Sequence, residues 1–560
     1  MRSFEQYLNV AVKAARAAGD LLRADLHRAA GPRGEHDKAP ADTEAEQLIR
    51  DILLGVTDDF GFLGEETGRV PCAPGSPVWV IDPNDGTRDY IKGRRGSSVS
   101  IALVFDHRPV LGVVHPFCWP DDRGAMYTAV DGRPGVWKDG APVDVRLPER
   151  LGEEDLVLVS GGGDRAARSN LLCTKPARVV SIPSIAHRLA RVAAGEATAT
   201  TSLYAPKTWD FAAGHCLVLA AGGALVDENG RDPVYDGEAF GTMPRLFAGS
   251  RAVALELSRR EWDRAFRAER EMELPIARLR KGRAVRDPEL LSRAHGTLLG
   301  HLAGSAAAVE TGTPDPGHPG GQLGPGGELG MATVRSLIAL ASDDDRLRRV
   351  YALWSERSAV GSKPPSASPL ARVSAFTLWG HEAAPELLVR KVREDAALTP
   401  GEIFSEDVAA VLAVALQRLV TGHEPAAAVD AAHAYARRSG LAREVIEAVT
   451  RSSEAPRHGR PGEAADALTA LQAALFTTLS IRSFDEAIAA AKTWSLEGDT
   501  LASVVGAFAG ARFGREGIPA RTRNLILSCR PLEGFARNPR PAEYWATDAL
   551  TAAEALLTAR

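Results

Sequence analysis

Strand-forming runs fill the first 250 or so residues of this chain and all but vanish from the rest. Up to about residue 250, runs such as Ser98–Val104, Val110–His115, Leu156–Ser160 and Val179–Ile182 alternate with helical patterns, which predicts an α/β or α+β unit. From about residue 287, alanine- and leucine-rich segments with apolar residues three and four apart follow one another, which predicts an all-helical unit. At 560 residues the chain exceeds what one hydrophobic core supports, so two units fit the length as well as the pattern. The predicted division is 1–257, a charged helix and linker at 258–286, and 287–560. Arginine and glutamate alternate around Trp262, Phe266 and Leu274 in the middle segment, so it does not read as a basic stripe.

A net charge of −5 offers no footprint for nucleic acid or an anionic membrane. The five cysteines are widely spaced with no C-x-x-C pair, which argues for a reducing compartment and against a zinc site. No apolar run approaches the roughly 18 residues of a membrane span, and the first residues, with Glu5 and no apolar run after it, do not read as a signal peptide. The expected location is cytoplasmic.

In the first half, Val78-Trp79-Val80-Ile81 reads as a buried strand, broken by Pro83 and by Asp85-Gly86 into a tight turn. Asp82 and Asp85 thus sit where a strand hands over to a turn, and Gly86 and Thr87 offer backbone N–H groups. Carboxylates and carbonyls suit a hard divalent cation, and N–H groups at a turn suit an anion such as phosphate. An Asx-turn closing a strand explains the same four letters without any ligand. Residues 4–29 read as an amphipathic helix, and Asp42 and Glu46 open the helical pattern that continues through Ile49 and Leu53. Phe62-Leu63-Gly64-Glu65-Glu66 presents two acids after an apolar pair, Lys92-Gly93-Arg94-Arg95 forms a basic loop, and Trp209-Asp210 starts a helix that stops at Gly222-Gly223.

Gly64-Glu65-Glu66, Asp82-Pro83-Asn84-Asp85-Gly86-Thr87 and Trp209-Asp210-Phe211-Ala212-Ala213-Gly214 have the order and spacing of the inositol monophosphatase superfamily, which residues 1–255 resemble. The resemblance implies an αβαβα layered sandwich and Mg²⁺-dependent hydrolysis of phosphate monoesters with two or three ions. It implies that Glu65, Asp82, Asp85, Asp210 and the carbonyl of Asn84 hold the metal, with Asp42 and Glu46 behind the site. It implies that Glu65, Asp85 and Thr87 carry catalysis and that the Gly86 and Thr87 N–H groups hold phosphate. Asn84 stands where an aliphatic residue is usual. The run Asp85–Lys92, with an acid, an aromatic and an isoleucine, looks most like the branch acting on 3′-phosphoadenosine 5′-phosphate. Lys92 and His187 are candidate substrate contacts, His187 having the plain alternative of a surface helix residue.

In the second half, residues 287–310 read as a capped amphipathic helix, Gly312–Gly327 as a loop, and Glu328-Leu329-Gly330 as the lead into a helix through Val334 and Leu337. Further helices are predicted near 404–420, 426–439, 441–451, 465–480 and 484–493, and Glu497-Gly498-Asp499-Thr500 opens a small-residue helix to Phe513. This half resembles the ADP-ribosylglycohydrolase family, most clearly over Ala487–Pro519, with degenerate metal motifs. Leu329 and Gly327 replace an aspartate and a threonine, Glu328 and Glu497 are longer than the usual aspartates, and Ser305 stands where an aspartate is common. The resemblance therefore implies no standard two-metal site, and leaves room for one ion on Glu328, Glu497, Asp499 and Thr500. The expected function is a phosphomonoesterase acting on a small phosphorylated metabolite, foremost a nucleotide or nucleoside phosphate, fused to a degenerate helical domain. A bifunctional phosphatase and N-glycoside hydrolase, and an inositol or sugar phosphate phosphatase with a non-catalytic binding domain, stay open, as does a homo-oligomer.

Overall fold

The computed structural model describes residues 4–236, 243–269, 272–309, 319–339, 344–358, 368–399, 403–456, 465–494 and 499–560. The chain divides into two units, one of Met1–Glu273 with Lys281–Arg286, the other of Leu274–Arg280 with Asp287–Arg560.

In the first unit, helices α1 (Leu8–Leu26) and α2 (Pro40–Leu54) precede strands β1 (Gly61–Gly64), β2 (Gly68–Val70) and β3 (Val78–Asp85), then the single turn α3 (Thr87–Tyr90). The hairpin of β4 (Ser98–Phe105) and β5 (Arg108–His115) follows, then β6 (Tyr127–Val130), β7 (Arg133–Lys138) and β8 (Ala141–Val143). These strands form one sheet ordered β2-β1-β3-β4-β5-β6-β7-β8, antiparallel except between β1 and β3. A second sheet is built by β9 (Leu156–Val159), β10 (Arg178–Ser181), β11 (Ala199–Ser202), β12 (Ala224–Val226) and β13 (Leu246–Gly249), ordered β10-β9-β11-β13-β12. Between and after these strands run α4 (Ala167–Thr174), α5 (Ile185–Ala193), α6 (Thr208–Ala220), α7 (Arg251–Ser258) and α8 (Trp262–Ala268).

Side chains alternate across a strand, and that alternation sorts the layers. Trp79 and Ile81 of β3 join the core beneath α1 and α2, whereas Val78 and Val80 face Leu189 of α5 and Phe211 and Leu217 of α6. The other side of α5 and α6 is covered by Leu225, Leu246 and Ala248 of the second sheet. Beyond that sheet Val157 and Phe247 pack on Val253 of α7 and Trp262 of α8. The layers are therefore α, β, α, β, α, the sandwich expected from the resemblance. Each large apolar side chain so buried contributes about 2–3 kcal/mol of transfer free energy.

The β4–β5 hairpin forms as the sequence predicts, with Asp106 and His107 at positive φ in its tight turn. One expectation needs correction. The strand does not break at Pro83: β3 runs on to Asp85, and its pairing with β4 shifts between Asp82 and Asp85. A bulge of this kind accommodates a proline that has no N–H to donate, and it re-aims the residues around it.

The second unit is helical throughout its described residues. Its helices are α9 (Pro288–Val309), α10 (Pro325–Ile338), α11 (Asp344–Ser358), α12 (Val373–Trp379), α13 (Pro385–Ala396), α14 (Ser405–Val420) and α15 (Pro425–Arg438). They continue with α16 (Arg443–Thr450), α17 (Ala465–Ser480), α18 (Phe484–Trp494), α19 (Thr500–Gly517), α20 (Ala520–Ser528) and α21 (Ala549–Leu557). Helices α9 and α19 meet backbone to backbone, since a methyl group at Gly300 would strike the Gly506 carbonyl and one at Gly510 the Gly296 carbonyl. Gly326 and Gly327 belong to the first turn of α10 rather than to the predicted loop, because Pro325 presets its φ at the helix start. Among the described residues no helix is long and apolar enough to cross a membrane.

Candidate active site

The bulge at the end of β3 gathers the first unit's acids. Asp82 and Asp85 are buried there, Asp210 stands in the first turn of α6, and Glu65 follows β1, which pairs in parallel with β3. Burial raises the Asp82 carboxyl well above its usual range, and the charges of Glu65, Asp85 and Asp210 push it the same way. Asp210 is likewise raised well above the ordinary aspartate value by burial and by the charges of Asp85 and Glu65. Glu65 keeps solvent access on its outer side, but the surrounding protein and the neighbouring Glu66 charge raise its pKa to about 7, and its carboxyl lies in hydrogen-bond contact with that of Asp82. Four carboxylates crowded this way are the type of oxygen donor that a hard cation takes. The buried Asn84 Oδ1, which accepts no hydrogen bond among the described residues, adds one more oxygen without a donor. In chemical type these oxygens suit a hard cation such as Mg²⁺.

Each acid is held by local structure. Asp85 Oδ2 accepts from the Ser184 hydroxyl and from the Ala186 N–H, both at 2.7 Å. Because the Ser184 hydrogen goes to Asp85, the Ser98 hydroxyl at 2.7 Å must donate to Ser184. Burial still raises Asp85 to about 6 against these bonds and the Arg188 charge. Arg188 is buried on α5, its charge near Asp85 and Asp210, and burial lowers its pKa to about 10. Asp210 Oδ2 accepts the Lys207 N–H at 2.8 Å, which fixes the start of α6. Glu46 accepts the N–H groups of Glu66 at 2.9 Å and Thr67 at 2.5 Å, and so shapes the turn that presents Glu65.

Asp42 reaches the same turn from α2. Its Oδ1 accepts from Asn84 Nδ2 at 2.9 Å and its Oδ2 lies 2.8 Å from the Thr87 hydroxyl, which is also 3.0 Å from the Asn84 carbonyl. Burial raises Asp42 to about 7 against the bonds from Asn84 and Thr87. Asn84 thus also bonds through its side chain, beside the carbonyl that the resemblance assigns to the metal. Gly86 sits at φ 107°, a left-handed conformation that favours glycine, and starts α3. The turn's own hydrogen bonds are donated by the Asp89, Tyr90 and Ile91 N–H groups, which come after Gly86 and Thr87.

The candidate substrate contacts separate. Lys92 is exposed, 3.9 Å from Asp89, which also accepts from Arg94 at 2.8 Å. His187 is not a surface residue: it is buried on α5, its ring edge-on to Trp119, and burial lowers its pKa to about 3. Tyr90 is buried as well, its hydroxyl donating to the Leu22 carbonyl at 2.8 Å, so the aromatic after the motif is a packing residue. Ser98, Ser184 and Arg188 escaped sequence reasoning. Ser184 carried one legible signal, a serine just before a helical run, where it caps α5 by accepting the His187 N–H.

In the second unit the acids are occupied by the chain's own donors. Both Glu328 carboxylate oxygens accept from Arg540, at 2.6 Å each. Asp499 accepts the Gly326 N–H at 2.9 Å, the Gly327 N–H at 3.3 Å and the Ser305 hydroxyl. Leu329 is buried and apolar, Thr500 begins α19, and Glu497 lies outside the described residues. Glu328 and Asp499, as described, are thus engaged by the chain's own donors, an arrangement that does not suit a metal ion.

Comparison with known proteins agrees with both halves. Residues 3–267 match the model of the inositol monophosphatase family, and residues 286–549 match that of ADP-ribosylglycohydrolase. Over 248 residues the chain is 29% identical to inositol monophosphatase 3 of Solanum lycopersicum, covering 41% of this chain and 89% of the relative. It is 31% identical over 231 residues to the 3′(2′),5′-bisphosphate nucleotidase CysQ of Escherichia coli O157:H7, covering 39% of this chain and 89% of that protein. It is 32% identical over 265 residues to the Nus factor SuhB of Xylella fastidiosa, covering 44% and 91%. Three motifs brought to one turn, on an αβαβα sandwich with relatives of this similarity, carry one conclusion: through its first unit the chain belongs to the inositol monophosphatase family of phosphoric monoester hydrolases.

Proposed function

We propose that the first unit is a Mg²⁺-dependent phosphomonoesterase acting on a small nucleotide or nucleoside phosphate. The observation that carries this reading is the convergence of Glu65, Asp82, Asp85 and Asp210 on the turn that also presents Gly86 and Thr87. A phosphate monoester repels nucleophiles by its own charge, and Mg²⁺ held by these acids and the Asn84 carbonyl supplies the positive charge that offsets it. The chain's own residues do the rest. The Gly86 and Thr87 N–H groups hold phosphate oxygens, Glu65 takes the proton of the attacking water, and Asp42 fixes the Thr87 hydroxyl that orients that water. Asp85 is locked by Ser184 and Ala186, so the site is formed before substrate arrives.

Two observations bear on the substrate: the similarity to a bisphosphate nucleotidase, which stands beside a comparable similarity to an inositol monophosphatase, and fusion to a unit matching a family named for ADP-ribose chemistry. The second is an argument by analogy. The test is phosphate release in Mg²⁺ from 3′-phosphoadenosine 5′-phosphate, nucleoside monophosphates, inositol phosphates and sugar phosphates, with Asp85→Asn as control. The bisphosphate is expected to be hydrolysed fastest, and Asp85→Asn to lose at least about a hundredfold, since a Lewis-acid site supplies several kcal/mol. Equal, negligible release by wild type and variant would refute the enzyme reading; inositol phosphate as best substrate would refute only the substrate class.

A further inference from the structure

We propose that the second unit carries its cation in its own chain: the Arg540 guanidinium takes the place of a divalent metal at Glu328, and the unit is metal-independent. This holds whatever the first unit hydrolyses.

Glu328 lies in the first turn of α10 and is only 4% exposed. A carboxylate so buried needs a positive partner. Arg540 provides one in the geometry a guanidinium favours, Nε to one oxygen and Nη2 to the other at 2.6 Å each. The guanidinium is itself positioned by what surrounds it. Its carbon lies 5.3 Å from the centre of the Tyr544 ring, its backbone N–H donates to the Pro531 carbonyl at 2.7 Å, and its carbonyl accepts the Trp545 indole N–H at 3.0 Å. The segment from Pro531 to Trp545 is thus folded so as to deliver one positive group to one carboxylate.

The other retained acid is answered differently. Asp499 is 3% exposed and receives the Gly326 and Gly327 N–H groups, which open α10, together with the Ser305 hydroxyl. Ser305 in turn accepts from the Gly324 and Gly327 N–H groups at 3.0 Å. A hard cation requires six or more oxygens around it. Here both carboxylates already have N–H or O–H donors, and Leu329 offers none. The cavity lined by Gln322, Glu328, Arg540, Tyr544 and Trp545 measures about 10 Å³, room for roughly one water and not for a hydrated ion. The substitutions therefore act together: as oxygen ligands are lost or re-engaged, an arginine supplies the charge they would have shared.

The test uses the full-length chain in an Asp82→Asn/Asp210→Asn background, which disables the acids of the first unit. Equilibrium dialysis against Mn²⁺ is expected to find no sub-millimolar binding, and calorimetry no shift of the second unit's unfolding with Mg²⁺, Mn²⁺ or EDTA. Arg540→Ala is expected to unfold at lower temperature and to recover in part with low-millimolar guanidinium but not with equal sodium chloride. The double variant Glu328→Gln/Arg540→Ala, which removes both charges, should need no guanidinium. Sub-millimolar Mn²⁺ binding that Glu328→Gln abolishes would overturn the proposal, and so would an Arg540→Ala chain as stable as its parent. If Arg540→Ala does not accumulate, Mn²⁺ binding to the background and Glu328→Gln chains decides the matter by itself.

Discussion

A methyl group at position 64 would overlap the carboxylate of Glu46, the group that accepts the Glu66 and Thr67 N–H bonds and so aims Glu65. Gly64→Ala is therefore expected to cost about 1–3 kcal/mol by overpacking and to cut phosphate release at least tenfold. A Gly64→Ala/Glu46→Asp chain, with the carboxylate drawn back, should regain part of both in melting and rate measurements. Glu196 gives a prediction on pH. Burial alone would raise its pKa, but the Arg191 and Lys138 charges, with bonds from Lys138 and Tyr127, prevail and lower it to about 2. A lowered carboxyl stabilises the fold fully above the unfolded value near 4.3 and loses that contribution as pH falls through the folded one. Glu196→Gln should thus melt below wild type at pH 7, by on the order of 1–3 kcal/mol, and the gap should close toward pH 2. At this scale the acids could be singled out because a hard-cation site is restricted to Asp and Glu at fixed spacings. Ser98 and Arg188 were not, because their roles exist only once β4 and α5 are brought to the end of β3.

Elements were legible in proportion to their periodicity. The amphipathic α1 and α2 and the β4–β5 hairpin fell where the pattern put them, and α14, α15 and α17 matched within a residue or two. Helix α21, buried over most of its length, shows little periodicity to read. The end of β3 was misjudged because a proline usually terminates a strand, and here a bulge absorbs it. The small residues of α19 permit close helix approach, and α9 is the neighbour, glycine against glycine. Gly300→Ala and Gly510→Ala each force two backbones apart, so each should destabilise the second unit by about 1–3 kcal/mol or more. Calorimetry on the full chain would read this as a lower midpoint, while an equally sized substitution at exposed Gly162, where φ is −85° and no atom lies within 4 Å of the added carbon, should leave it nearly unchanged.

At the scale of the molecule, the two units were legible from the loss of strand signals, but the allotment of residues 274–286 was not. Pro275 and Ala277 bond within the second unit, to Arg335 and Asp548, and Arg280 donates to the Ala559 carbonyl at 2.8 Å. Val285, in contrast, accepts from Arg95 of the first unit at 2.7 Å. These bonds join residues far apart in sequence, which composition does not report. A fragment starting at residue 287 is therefore expected to melt lower than one starting at 274, and a fragment ending at 273 lower than one ending at 286, both by thermal unfolding monitored with circular dichroism.

The alternating allotment also bears on heredity. Ownership of the backbone changes at 273/274, 280/281 and 286/287. A single recombination point anywhere in that interval gives at least one unit a junction segment that evolved with a different neighbour. Descendants of this architecture should therefore inherit the junction together with both units, and a chimera that keeps each unit of one parentage needs crossovers at all three of these boundaries.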